Sequence, residues 1–163
     1  MKSLELGNDK IMDMKMVIGA DHGGYQVKEM VREWLVDTGV EVRDVGAVNY
    51  AEEDDFVDYA ERVAREINGD KEVRGIVFCR NGVGVSIVAN RFRKVRCALG
   101  FDVEQVKKAR TDDDVNCLAV AADYSSEETV KEMIEVFMKT EFSGEDRFVR
   151  RLLKLDELRF ESK

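Results

Sequence analysis

The chain has 163 residues, 44% of them hydrophobic, which is enough for one good core, and no composition shift marks a linker between two domains. A formal net charge of −8, with basic residues that gather into no stripe, argues against nucleic acid or an anionic membrane as partner. Three widely spaced cysteines form neither a disulfide framework nor a CxxC pair, and no segment approaches the ~20 apolar residues of a membrane span, so a reducing cytoplasm fits best.

Residues 1–14 read as an extension ahead of a single domain over 15–163, since MKSLELGNDKIMDM lacks the long apolar run of a signal peptide. From Met16 onward, short β-rich runs alternate with helical periods, the pattern of a parallel sheet with helices on its faces. MVIGA (16–20) is the first strand, and Val27, Met30, Val31, Trp34 and Leu35 fall on one helix face that stops at Gly39. VEVRDV (40–45) alternates as a second strand. Phe56, Ala60, Val63, Ala64 and Ile67 then predict a second amphipathic helix ending near Gly69. GIVFC (75–79) is apolar throughout, as a central strand should be, and its helix begins near Gly82. RCALG (96–100) is the fourth strand, Asp102 with Gln105 opens a helix through Arg110, and VNCLAVA (115–121) is the fifth strand. Ser125 with Glu128 predicts the next helix start, and Glu145 to about Leu158 a terminal helix after the finished sheet.

The richest segment is VRGIVFCRNGVGVSIVAN (73–90), where a strand runs through Cys79 into a glycine turn and a helix with no spacer. In open parallel sheets ligands bind outside the carboxyl ends of the strands, and the free N–H groups of a first helical turn favour an anion or a thiolate. A buried strand-end cysteine acting as a small hydrophobe fits the segment equally well. Nucleotide motifs fail: Ile87 stands where a third glycine would be needed, and no GK[ST] occurs. With one histidine in the chain, and Asp112, Asp113 and Asp114 reading as a solvated helix end, no metal site is expected.

Ala20-Asp21-His22-Gly23-Gly24 brings the only histidine and a carboxylate to the same sheet edge as Cys79. Asp21 taken singly caps a helix as readily as it binds a ligand. Two such clusters on the first and third strands favour a cleft.

These segments, with EDDFVDYA (53–60), VRCAL (95–99), DDDVN (112–116) and FSGEDRFVRRLLKLDEL (142–158), resemble the ribose-5-phosphate isomerase B and galactose-6-phosphate isomerase family. The resemblance implies a Rossmann-like α/β/α fold, three-layered, with a five-stranded parallel sheet and an extra C-terminal helix. It also implies a homodimer with shared active sites, extending to a tetramer in some arrangements, and no metal or organic cofactor. The activity implied is interconversion of an aldose phosphate and its ketose through a cis-enediol, with ribose 5-phosphate and ribulose 5-phosphate as the first pair. A six-carbon sugar phosphate, or binding without turnover, are the alternatives.

By the same resemblance Cys79 moves the proton, and Asn81 with the amides of Gly82, Val83, Gly84, Val85 and Ser86 forms the anion hole. Asp21 and His22 contact the sugar, while Arg147 and Arg151 hold phosphate. The chain departs from the family by Arg80-Asn81 after the cysteine and by Asp112 for the ring-opening histidine. Asp113 replaces asparagine, Asp123 a phosphate arginine and Phe148 a histidine. Arg80 is expected to supply the positive charge missing at Asp123, and Asp112 to take over ring opening beside the substrate-binding Asp113.

Overall fold

The computed structural model describes residues 14–67, 70 and 72–158. The extension over 1–13 and the stop at Gly69 lie outside the described residues, while Met14 packs against the core.

In chain order the elements are β1 (Lys15–Ala20), α1 (Tyr25–Asp37), β2 (Glu41–Asp44), α2 (Phe56–Ile67), β3 (Val73–Cys79) and α3 (Val83–Ala89). They continue as β4 (Cys97–Leu99), α4 (Val103–Asp113), β5 (Cys117–Ala121), α5 (Glu127–Lys139) and α6 (Asp146–Glu157). The strands form one sheet in the order β2-β1-β3-β5-β4, every pairing parallel. This Rossmann-like α/β arrangement is the one expected.

Strand alternation divides the core in two. Met16, Ile18, Ala20, Ile76, Phe78, Leu118 and Val120 pack under α1, α4 and α5, while Val17, Val77, Cys79, Cys117 and Ala119 pack under α2 and α3. β3 is buried along its whole length, Arg74 included, and begins two residues ahead of the apolar run expected for it. Gly75 lets α2 approach β3, since a Cβ there would lie 2.4 Å from Ile67 Cδ1.

Buried cations join the layers. Lys28, fully buried, bridges Glu29 and Asp44 and so fixes α1 to the end of β2. Arg74 donates to the carbonyls of Phe137 and Met138 at the end of α5, and burial pulls its pKa down to about 10.

Two boundaries differ from expectation. The N-cap of α5 is Ser126, which accepts from Thr129 N at 3.2 Å, so the adjacent Ser125 is not the cap. The Asp102 cap holds, accepting from Gln105 N at 2.8 Å, but α4 runs past Arg110 to Asp113 and takes Asp112 and Asp113 into its last turn. The terminal helix α6 buries Phe148 and leaves Leu153, Leu155 and Leu158 exposed. Among the described residues no helix is long and apolar enough to cross a membrane.

Candidate active site

β1 and β3 are neighbours, with Ala20 opposite Phe78, yet the chain leaves them in opposite directions across the sheet. The helix after β1, α1, covers one face, and the helix after β3, α3, covers the other. A crevice therefore opens between the two strand ends, at the switch point where open α/β sheets bind ligands. Asp21 and His22 line one side of it and Cys79 to Ser86 the other.

Cys79 is 6% exposed, and its sulfur accepts the Gly82 N–H at 3.1 Å. Asn81 Oδ1 lies 3.8 Å from the sulfur and accepts the Val83 N–H at 3.0 Å, so one side chain fixes the turn and faces the thiol. Gly82 holds a φ of +72°, and Gly84 packs on the Phe56 ring, where a Cβ would approach to 2.8 Å. The amides of Val83, Gly84 and Val85 point out of the first turn of α3 without intrahelical acceptors. Ser86 Oγ is committed to the Val83 carbonyl at 2.8 Å. Cys97 and Cys117 differ from Cys79: they sit opposite each other on β4 and β5, and the Cys97 thiol, with burial, raises the pKa of Cys117.

Asp21 is 6% exposed and its Oδ1 accepts the Gly24 N–H at 3.1 Å; Gly24 is itself the N-cap of α1, which has no side-chain cap, so Asp21 closes the turn ahead of the helix and does not cap it. Burial, the largest influence, pushes its carboxyl above the ordinary value. His22 is held by a residue that sequence reasoning missed. Asp54 Oδ1 accepts both the His22 backbone N–H at 2.9 Å and Nδ1–H at 2.7 Å. Burial favours a protonated Asp54, but these two bonds oppose it and the carboxyl ends below its usual range. The Tyr50 ring stands edge-on to His22, 6.3 Å between centroids. Asp54 sits in the aperiodic loop between β2 and α2, 32 residues from its partner, and no local signal marks it. Asp21, His22 and Asp54 place donor atoms within 4.8 Å of one another, the grouping among the described residues with spacing suited to a metal ion.

The remaining expected site residues divide by position. Arg80 lies over Gly23 and pairs with Asp123 at 3.6 Å, both side chains being substantially exposed. The guanidinium thus stands at the place anticipated for it, but with the Asp123 carboxylate beside it. Asp112 and Asp113 do not reach this crevice within one chain. Helix α4 leaves the carboxyl end of β4 and returns to the opposite sheet edge, where Asp114 binds Arg96 and Asn116 N donates to Arg96 O.

Arg147 and Arg151 belong to that far edge too. Ser143, just ahead of α6, donates to Thr111 O, and Arg93 reaches Asp156 O at the helix end. The two guanidiniums flank the Phe148 ring, 4.4 and 5.5 Å from its centroid. Arg151, Asp113, Asn90 and Leu155 line a groove of about 910 Å³. Within one chain the crevice residues therefore lie at one end of the sheet, and Asp112, Asp113, Arg147 and Arg151 at the other.

A family model described as Ribose/Galactose Isomerase matches residues 16–155. Ribose-5-phosphate isomerase B of Escherichia coli is 32% identical over 130 residues, 80% of this chain and 87% of that protein. A ribose 5-phosphate isomerase from Thermotoga maritima superposes with a TM-score of 0.84 at 34% identity, covering 89% of this chain and 99% of the other. Ribose-5-phosphate isomerase B of Mycoplasma genitalium, solved with bound ribulose-5-phosphate, gives 0.85 at 29% identity over 89% and 95%.

Proposed function

The chain belongs to the ribose/galactose isomerase family, and from that premise we propose that it interconverts an aldose phosphate with its ketose, ribose 5-phosphate and ribulose 5-phosphate first among the pairs. The observation that carries the reading is the Gly82 N–H on the Cys79 sulfur, at a strand end facing Asp21 and His22.

An amide donor stabilises a thiolate, and a thiolate at the crevice floor can take the hydrogen from C2 of the open-chain aldose. The electron pair left behind forms the C1–C2 double bond of a cis-enediolate, and negative charge moves onto the former carbonyl oxygen. Fixed N–H donors at Gly84 and Val85 lower the energy of that charge without having to reorient, whereas the Val83 N–H is already given to Asn81 Oδ1. A proton then passes from O2 to O1, the O2 electron pair forms the C2=O2 bond, and the C1=C2 pair takes the proton back from the thiol at C1 to give the ketose. Asp21 and His22 supply hydrogen bonds that hold the sugar hydroxyls.

Phosphate recognition falls to Arg147 and Arg151, whose paired guanidiniums suit a dianion. Their distance from the crevice supports a homodimer in which each site takes Cys79 from one copy and Arg147, Arg151, Asp112 and Asp113 from the other. The exposed leucines of α6 provide apolar surface for that contact. Three free cysteines suit a reducing cytoplasm. A second reading, a sugar phosphate of different length, draws support from the Arg80–Asp123 pair, in which a carboxylate stands beside the guanidinium next to Cys79.

The test is conversion of ribose 5-phosphate by purified protein, with Cys79→Ala prepared in parallel. Turnover lost in the variant supports the reading. Ligand-induced thermal stabilisation with no turnover on a panel of four- to six-carbon phosphates would move the protein to a binding role.

A further inference from the structure

We propose that His22, oriented by Asp54, is the acid–base group that opens the sugar ring; this rests on the isomerase reading above. Asp54 is the positioning residue and His22 the catalytic one.

Aldopentose phosphates are mostly closed furanoses, and an enediol can form only from the open aldehyde. Opening needs one group that accepts the proton of the anomeric hydroxyl and returns a proton to the ring oxygen. An imidazole does both near neutral pH. His22 is the only histidine in the chain.

Its environment selects one nitrogen for the work. The Asp54 carboxylate, held ionised, can only accept, so Nδ1 must carry the proton it shares with Oδ1 at 2.7 Å. The lone pair is thereby placed on Nε2, for which no described residue is a hydrogen-bond partner. The His22 backbone N–H on the same oxygen, and the Tyr50 ring edge, fix the plane of the imidazole. Asp54 is itself rigid, its side chain only 9% exposed. The loop carrying His22 packs on the residue after Cys79: a Cβ on Gly23 would lie 2.6 Å from Arg80 Cγ, so the turns that carry the imidazole and the thiol are in contact.

The step balances without a co-reactant. Nε2 takes the proton from O1, the O1 electron pair forms the C1=O1 bond, the bond from C1 to the ring oxygen breaks, and the imidazolium returns the proton to that oxygen. Asp112, the group expected for this step, lies at the far end of the sheet in the same chain and would border the crevice only from a second copy.

Two readouts test the assignment. At rising enzyme concentration the wild type should convert ribose 5-phosphate faster than the sugar opens spontaneously. Asp54→Asn and His22→Gln should level off at the spontaneous rate, with initial conversion down about 10-fold or more. Asp54→Asn should still exchange the C1 hydrogen of open-chain ribulose 5-phosphate with deuterated water, because that step runs through Cys79 and the amides of α3 and does not use ring opening. Independently of turnover, ¹⁵N NMR of the single histidine should show the Nδ1–H form in the wild type and lose that preference in Asp54→Asn. Conversion by Asp54→Asn that keeps pace with the wild type, or an Nε2–H wild-type imidazole, overturns the proposal while leaving the isomerase reading intact. A wild type that neither converts nor exchanges overturns both.

Discussion

The backbone N–H of Gly82 donates to the sulfur of Cys79 at 3.1 Å, and this bond exists because Gly82 adopts a φ of +72°. An alanine there would be strained by its backbone and would also set its Cβ 2.5 Å from Leu99 Cδ1. Gly82→Ala should lose about 1–3 kcal/mol of stability and nearly all turnover. Gly39→Ala is the companion, since Gly39 has a φ of +82° with nothing within 4 Å. It should lower the melting temperature through strain alone and leave kcat unchanged. Equal activity in both variants would mean that the Gly82 amide does not serve the thiol.

How much of this was legible beforehand varied with the range of the interaction. The apolar run of β3 and the heptad-like spacing in α1 are local, so strand, helix and the Cys79 turn could be read from neighbours in sequence. The α5 cap slipped by one residue because Ser125 and Ser126 are adjacent and each has a partner three residues on. Asp54 was invisible: its role depends on a loop without periodicity folding back over 32 residues onto His22. Asp112 and Asp113 were assigned to the site through the family resemblance, and motif order along a chain does not tell that within one chain they lie at the other end of the sheet from Cys79. The crossover rule does, since a helix that leaves the carboxyl end of one strand must return to the amino end of the next.

Asp21 and Asp54 should respond oppositely to loss of charge. Burial raises the Asp21 carboxyl above 3.8, so its contribution to stability is complete below that pH and is lost as pH rises through the raised value. Asp54 ends below 3.8, so its contribution is present above that pH and is lost as pH falls through the lower value. At pH 7, therefore, Asp21→Asn should be more stable than the wild type and Asp54→Asn less stable. Both differences should shrink on acidification toward and below pH 3.8. Urea midpoints between pH 3 and 7 give the comparison, and a reversed order at pH 7 would contradict the burial assigned to Asp21. The gain in Asp21→Asn should come with weaker sugar binding, because the position faces the crevice.

The Arg80–Asp123 pair sets how much positive charge the crevice offers an anion. The two side chains are 63% and 48% exposed, so water and salt screen the pair strongly. Asp123→Ala removes the carboxylate and leaves Arg80 free for phosphate. KM for a sugar phosphate should fall several-fold at low ionic strength, with the advantage fading as salt approaches ~0.15 M. Arg80→Ala should raise KM in the same assay. If neither variant changes KM, the phosphate does not approach this pair, and its recognition rests on the arginines of α6 alone.

The homodimer proposed above, with each site drawing residues from both copies, has a test that needs no structure of the assembly. Cys79→Ala removes the thiol from the crevice, and Arg151→Ala disables the groove on the opposite edge. Each variant alone should be nearly inactive. When the two are mixed and allowed to exchange subunits, a heterodimer joins the intact crevice of one chain to the intact groove of the other, while its second site carries both defects. Random exchange makes half of the dimers mixed, so activity should recover to about one quarter of the wild type. No recovery after proven exchange would place Arg151 and Cys79 in separate functions. Phe148→Ala belongs in the same experiment, because both guanidiniums lie against its ring. If the ring gathers the two arginines for a dianion, this variant should raise KM for the phosphorylated sugar far more than it lowers kcat.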